Sequence, residues 1–173
     1  MMRTTACLAL SLFALTTACS NDHVTGSDLS PLASRAADPA RPAGGACAVS
    51  FQFGPPDLTH VPIPQATLTL TGECTFKHLG ATTMTATQWI YAYPDFENLT
   101  TYTAANGDQL TTRFIGTLTS APAEQLNLTF VGEETILSGT GRFAGATGSS
   151  ILTGSAMLAT GKGQYTTTGS MRY

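Results

Sequence analysis

The sequence predicts an all-β domain, a single antiparallel barrel of eight to nine strands closed on itself. Three observations predict it. Apolar and polar residues alternate with period two through most of residues 46–173, the pattern of strands that bury one face. No stretch of ten residues holds a 3.6-residue period. Turn-forming residues fall between the alternating runs, which cover 46–53, 65–77, 82–92, 99–104, 109–119, 126–131, 134–138, 149–158 and 164–173. Strands of this number and length have two economical arrangements, a two-sheet sandwich or a closed barrel. Closure is preferred because it removes the exposed edges that a Thr-rich sheet must otherwise protect.

In the first two runs, Cys47 alternates in phase with Val49, Phe51 and Phe53, and Cys74 with Leu68, Leu70 and Phe76. Pro55, Pro56, Pro62 and Pro64 make the connection between them a long irregular loop. The third run leads into the aromatic cluster Trp89, Tyr91, Tyr93 and Phe96. At period two the first three share one side of a strand, where they can stack on a sugar ring or an apolar ligand, or pack into a core or interface. Trp89 and Tyr91 are the candidate ligand contacts. Asn106, Gly107 and Asp108 form a hairpin signal between two runs, because both central residues of a type I′ turn need positive φ. Gly161, Lys162 and Gly163 do the same near the end. Gly72, Gly116, Gly154 and Gly169 fall inside runs, at places where a sheet bends or backbones approach closely.

Residues 1–18 carry Arg3, an apolar stretch interrupted by Ser11, and the small residues Thr16, Thr17 and Ala18. This is a secretory signal peptide, and its apolar stretch is shorter than the roughly 20 residues a membrane-spanning helix needs. Ala18 followed by Cys19 resembles the lipobox of bacterial lipoproteins, although Thr16 stands where that pattern has an aliphatic residue. The resemblance implies that Cys19 is acylated, with palmitate among the chains, and joins the protein to membrane lipid at the cell envelope. Ser20 is compatible with sorting to the outer membrane. Cleavage near Ala18 without lipidation would leave a periplasmic or secreted protein instead. Residues 19–45, rich in Ser, Asp, Ala, Pro and Gly, read as a flexible tether with an end-to-end distance of about 25–30 Å. The barrel domain is 46–173.

Export places the domain in an oxidising compartment. Cys7 leaves with the signal peptide, so Cys47 and Cys74 remain to form a buried disulfide. Charged residues make up 11 % of the chain and the net charge is -3. The basic residues Lys77, Arg113, Arg142, Lys162 and Arg172 are scattered, which argues against nucleic acid as a partner. His60 and His78 have no third ligand at a recognisable spacing, so neither a metal nor any other cofactor is expected.

The run Ser138, Gly139, Thr140, Gly141, Arg142, Phe143, Ala144, Gly145, Ala146, Thr147 and Gly148 resembles the Gly-Gly-Thr-Gly-x-Phe-x-x-Ala-x-Gly signature of the allene oxide cyclase and dirigent group, with Ser138 replacing the first Gly. The stretch with residues 105–110 and His78, Leu79 and Gly80 is also similar to exported bacterial proteins of that barrel type. The resemblance implies an eight-stranded barrel whose lumen binds an apolar small molecule, and a homo-oligomer. Physically the motif is backbone architecture. Gly139 and Gly141 permit a tight turn, Phe143 anchors it in the core, and Ala146 and Gly148 let the chain re-enter the sheet.

The titratable candidates for acid-base chemistry are Asp57, His60, Glu73, His78, Asp95, Glu97, Asp108, Glu124, Glu133 and Glu134. Most fall at predicted loops or turns. Glu73 lies mid-strand on the face of Thr69, Thr71 and Thr75; it is the catalytic candidate if that face lines a polar lumen, and a solvent-facing residue otherwise. The leading functional expectation is a non-enzymatic envelope lipoprotein that binds a small apolar or glycan-like ligand or an envelope protein partner. The alternative is an isomerase- or cyclase-like enzyme with a lumen carboxylate.

Overall fold

The computed structural model describes residues 39–120 and 126–173. They form eight strands: β1 (Arg41–Gly54), β2 (Ala66–Phe76), β3 (Gly80–Ile90), β4 (Asp95–Ala104), β5 (Gln109–Leu118), β6 (Asn127–Gly139), β7 (Thr147–Met157) and β8 (Lys162–Arg172). Each strand pairs antiparallel with the next, and β1 pairs with β8 to close the barrel. The period-two pattern is realised directly. Along β1, Cys47, Val49 and Phe51 are buried while Ala48, Ser50 and Gln52 are exposed. Along β2, Leu68, Leu70 and Cys74 are buried while Thr69, Thr71, Glu73 and Thr75 face out. Thr suits this outer coat because its branched side chain fits a half-buried pleated surface. Each fully buried Phe, Leu or Met contributes roughly 1.5–3 kcal/mol.

The two expected cysteines form the disulfide, and they stand directly opposite in the β1–β2 register. Both are buried on the inner face.

Eight strands rather than nine result because 126–131 and 134–138 belong to one strand, β6. Gly132 does not break it. It stands opposite Gly116 of β5, and a Cβ there would collide with the Phe114 ring and the Ile115 carbonyl. The glycine therefore makes room for an inward aromatic ring inside a continuous strand. Strand β1 also starts at Arg41, inside the stretch 19–45 read as tether, and pairs Arg41–Gly45 with Thr167–Met171 of β8. Pro42, Gly44 and Gly45 supply no side-chain alternation, and backbone pairing holds them in place. Residues 1–38, on which the expected signal peptide and the lipidation expected at Cys19 fall, lie outside the described residues.

Antiparallel order puts the connections 77–79, 105–108 and 140–146 and both ends of the barrel chain at one end. Connections 55–65, 91–94 and 158–161 lie at the other, with the end of β5 and the start of β6. The first end is sealed by the glycine-rich motif. Phe143 is fully buried and meets Tyr173 edge-on at 5.3 Å. Arg142 lies 4.6 Å over the Phe143 ring, donates from Nη2 to the Leu79 carbonyl at 3.1 Å, and donates from its backbone N–H to Asp108 Oδ2 at 3.2 Å. Gly141 has φ +55°, and a Cβ there would strike the Asp108 carboxylate. Glycine is thus required twice over, by conformation and by space.

Candidate functional site

The lumen holds a cavity of about 280 Å³ towards the end opposite the glycine-rich motif. That is close to the lower bound of ordinary small-molecule sites, about 300 Å³. Leu68, Leu70, Met84 and Leu152 form much of its wall. Phe96, Phe114 and Phe130 add an aromatic cluster with ring centres 5.5–6.4 Å apart. The cavity reaches the surface, because the exposed side chains of Phe53 and Tyr93 line it as well.

Polar groups enter this apolar space at two depths. The inward positions of β4 run Phe96, Asn98, Thr100 and Tyr102 from mouth to floor. Asn98 stands in register with Gln88 of β3; both line the cavity, and Asn98 Oδ1 is buried with no hydrogen-bond partner. At the floor, the hydroxyls of Tyr102 and Tyr165 are 2.9 Å apart. Behind them is Glu134, a buried acid that faces a smaller space of about 40 Å³ rather than the main cavity. Glu134 Oε1 accepts from Tyr102 Oη and Thr112 Oγ1, each at 2.8 Å, and Oε2 accepts from Ser150 Oγ at 3.1 Å. Three donors on one carboxylate offset the cost of burying it.

Burial pushes the Tyr102 hydroxyl well above the ordinary tyrosine range, and the charge of Glu134 pushes it further. Burial also raises Tyr165, with Glu134 adding to the rise and the Tyr102 hydrogen bond opposing it. Both phenols are therefore neutral hydrogen-bonding groups at ordinary pH rather than bases.

The residues singled out from sequence divide between this lumen and the outer wall. Glu73 is exposed on the outer face of β2, since the Thr face is the outer one; the acid inside the barrel is Glu134. Trp89 also lies on the outer side, where the connection 55–65 folds over it. His60 stacks on its ring at 4.3 Å, and its indole N–H donates to Asp57 Oδ2 at 3.3 Å. Asp57 in turn accepts from the Thr59 hydroxyl and backbone N–H, and these bonds hold its carboxyl below the usual range. Tyr91 comes after the end of β3, lines the cavity mouth, and meets His60 Nε2 at 2.9 Å. Tyr93 lines the mouth too and donates to the Ser120 carbonyl at 2.8 Å. Glu97 is taken by Arg113 on the outer wall, at 2.6 and 3.0 Å. Asp108 belongs to the sealed end, and Glu124 lies outside the described residues. No cluster of three His, Cys, Asp or Glu side chains able to hold a metal occurs among the described residues.

Sequence reasoning missed Glu134 as a lumen residue because 126–131 and 134–138 read as two separate runs, with Glu134 at the start of the second. The available signal was phase: Glu134 stands two residues from Gly132 and from Ile136, and four from Phe130, on the inward face of β6. Comparison with known proteins found no matching family model, curated protein or solved structure.

Proposed function

We propose that this protein is an envelope lipoprotein whose barrel binds a small apolar molecule in its lumen without transforming it. The observation that carries this reading is the surface-reaching cavity of about 280 Å³, walled by Leu, Met and Phe side chains around a few polar groups. The glycine-rich motif at the sealed end is consistent with membership of the allene oxide cyclase and dirigent group. Anchoring through Cys19 would attach the barrel by its sealed end, because β1 begins there, and leave the mouth at the far end. A glycan stacked on Trp89 is less favoured, since His60 already covers one face of that ring.

The enzymatic alternative draws its support from Glu134, which takes the place proposed for Glu73. It is the weaker reading because Glu134 is fully engaged by hydroxyl donors, and the neutral Tyr102 stands between it and the main cavity. Titrating the mature protein with the neutral fluorophore N-phenyl-1-naphthylamine tests the proposal. Saturable fluorescence at one dye per barrel, weakened by Ala156→Phe in the cavity wall, is the expected result. An unsaturable signal, or one indifferent to filling the cavity, would count against it.

A further inference from the structure

We infer that the lumen selects a neutral apolar molecule carrying a hydrogen-bond donor, such as a hydroxyl, and rejects carboxylates. This rests on the lumen-binding reading above and adds the chemical class of the ligand. Tyr102 has one hydroxyl proton, and it goes to Glu134 Oε1 at 2.8 Å. The 2.9 Å contact between the two tyrosines is then donated by Tyr165, so the Tyr165 proton is committed as well. Tyr165 lines the cavity, and with its proton committed its hydroxyl oxygen has only acceptor capacity left to offer. Nearer the mouth, Asn98 Oδ1 is a second acceptor, buried and without a partner. The neighbouring Gln88 amide can donate to the oxygen of a hydroxyl whose proton Asn98 accepts.

A ligand that only accepts hydrogen bonds leaves these acceptors unmatched. A ligand that donates satisfies one of them and removes the cost of an orphaned buried oxygen. A carboxylate fares worst. Among the described residues lining the cavity there is no Lys, Arg or His, Asp95 stands at the mouth, and Glu134 lies behind the floor. An anion there would be desolvated with no cation to pair. The two acceptors lie at different depths, four residues or about 13 Å apart along β4, taking Tyr102 as the marker of the floor. They can therefore be separated by mutation.

The test measures binding of four molecules sharing one ring system to the mature protein at pH 7: naphthalene, 2-naphthol, 2-methoxynaphthalene and 2-naphthoate. The expected order puts 2-naphthol roughly five- to tenfold tighter than its methyl ether, the contribution of one hydrogen bond, and 2-naphthoate weakest. Tyr165→Phe or Asn98→Leu, whichever acceptor is used, should abolish the preference for naphthol over the ether. Glu73→Gln, on the outer wall, should leave it intact, and thermal melting checks that each variant is folded. Equal or tighter binding of the ether, tight binding of naphthoate, or a preference surviving in both variants would overturn the inference while leaving lumen binding in place. Failure of all four to bind would instead contradict the lumen-binding reading itself.

Discussion

The Tyr102 hydroxyl lies 2.8 Å from Glu134 Oε1, joining strands whose residues stand 32 positions apart in sequence. That contact ties the floor of the main cavity to the only buried acid among the described residues. It makes Tyr102 a donor towards Glu134 and leaves its oxygen to accept from Tyr165.

Removing either end of this chain should cost stability unequally. Tyr165→Phe deletes one hydrogen bond and should lower unfolding free energy by about 1 kcal/mol. Glu134→Ala strips the acceptor from Tyr102, Thr112 and Ser150 at once and should cost about 3 kcal/mol or more. Urea denaturation of the two variants beside the wild type measures the difference. Equal losses would mean that the hydroxyls do not converge on Glu134.

Alkaline pH should weaken the fold. Tyr102 and Tyr165 have raised pKa values in the folded state, because burial, reinforced by Glu134, opposes the phenolate. Unfolded tyrosines titrate near about 10, so above that pH the folded chain holds more protons than the unfolded one. Their contribution is thus complete below about pH 10 and lost as pH rises towards the folded values. Melting temperature followed from pH 8 to pH 11 should fall beyond about pH 10, and less steeply in a Tyr102→Phe, Tyr165→Phe double variant.

The disulfide gives a third outcome. Cys47 and Cys74 join neighbouring strands with a sequence separation of 27, so reduction should lower stability by roughly 2–4 kcal/mol without changing the strand order. Chemical denaturation with and without reductant reads this directly. Two free thiols in the non-reduced protein would contradict the pairing.

Much of the fold was legible in the sequence because alternation, turn chemistry and in-phase cysteines are local signals. Phe51, Leu70 and Cys74 announced their faces by position alone. The start of β1 at Arg41 was not legible, since Pro42, Gly44 and Gly45 join the sheet through backbone bonds to β8, a partner more than 100 residues away. The lumen acid was hidden for a related reason. Gly132 reads as a break until the Phe114 ring that needs its space is known, and only then does Glu134 fall on the inner face. The sequence leaves Trp89 either as a ligand contact or as a core or interface residue, and its cover by His60 comes from an irregular loop that no periodicity describes.

Lipidation is tested apart from the barrel. Radiolabelled palmitate should enter the wild-type protein and fail to enter Cys19→Ser, with a control lipoprotein labelled in parallel. Labelling of neither protein would remove the anchor from the account.

The most direct measurement is a methyl NMR titration of the mature protein with 2-naphthol. Methyl groups of Leu68, Leu70, Met84 and Leu152 face the lumen, while those of Leu99, Ile115, Leu137 and Ile151 are exposed. Saturable shifts confined to the first set are expected. Shifts confined to the exposed set, or none at a concentration that saturates a control binder, would contradict binding in the lumen.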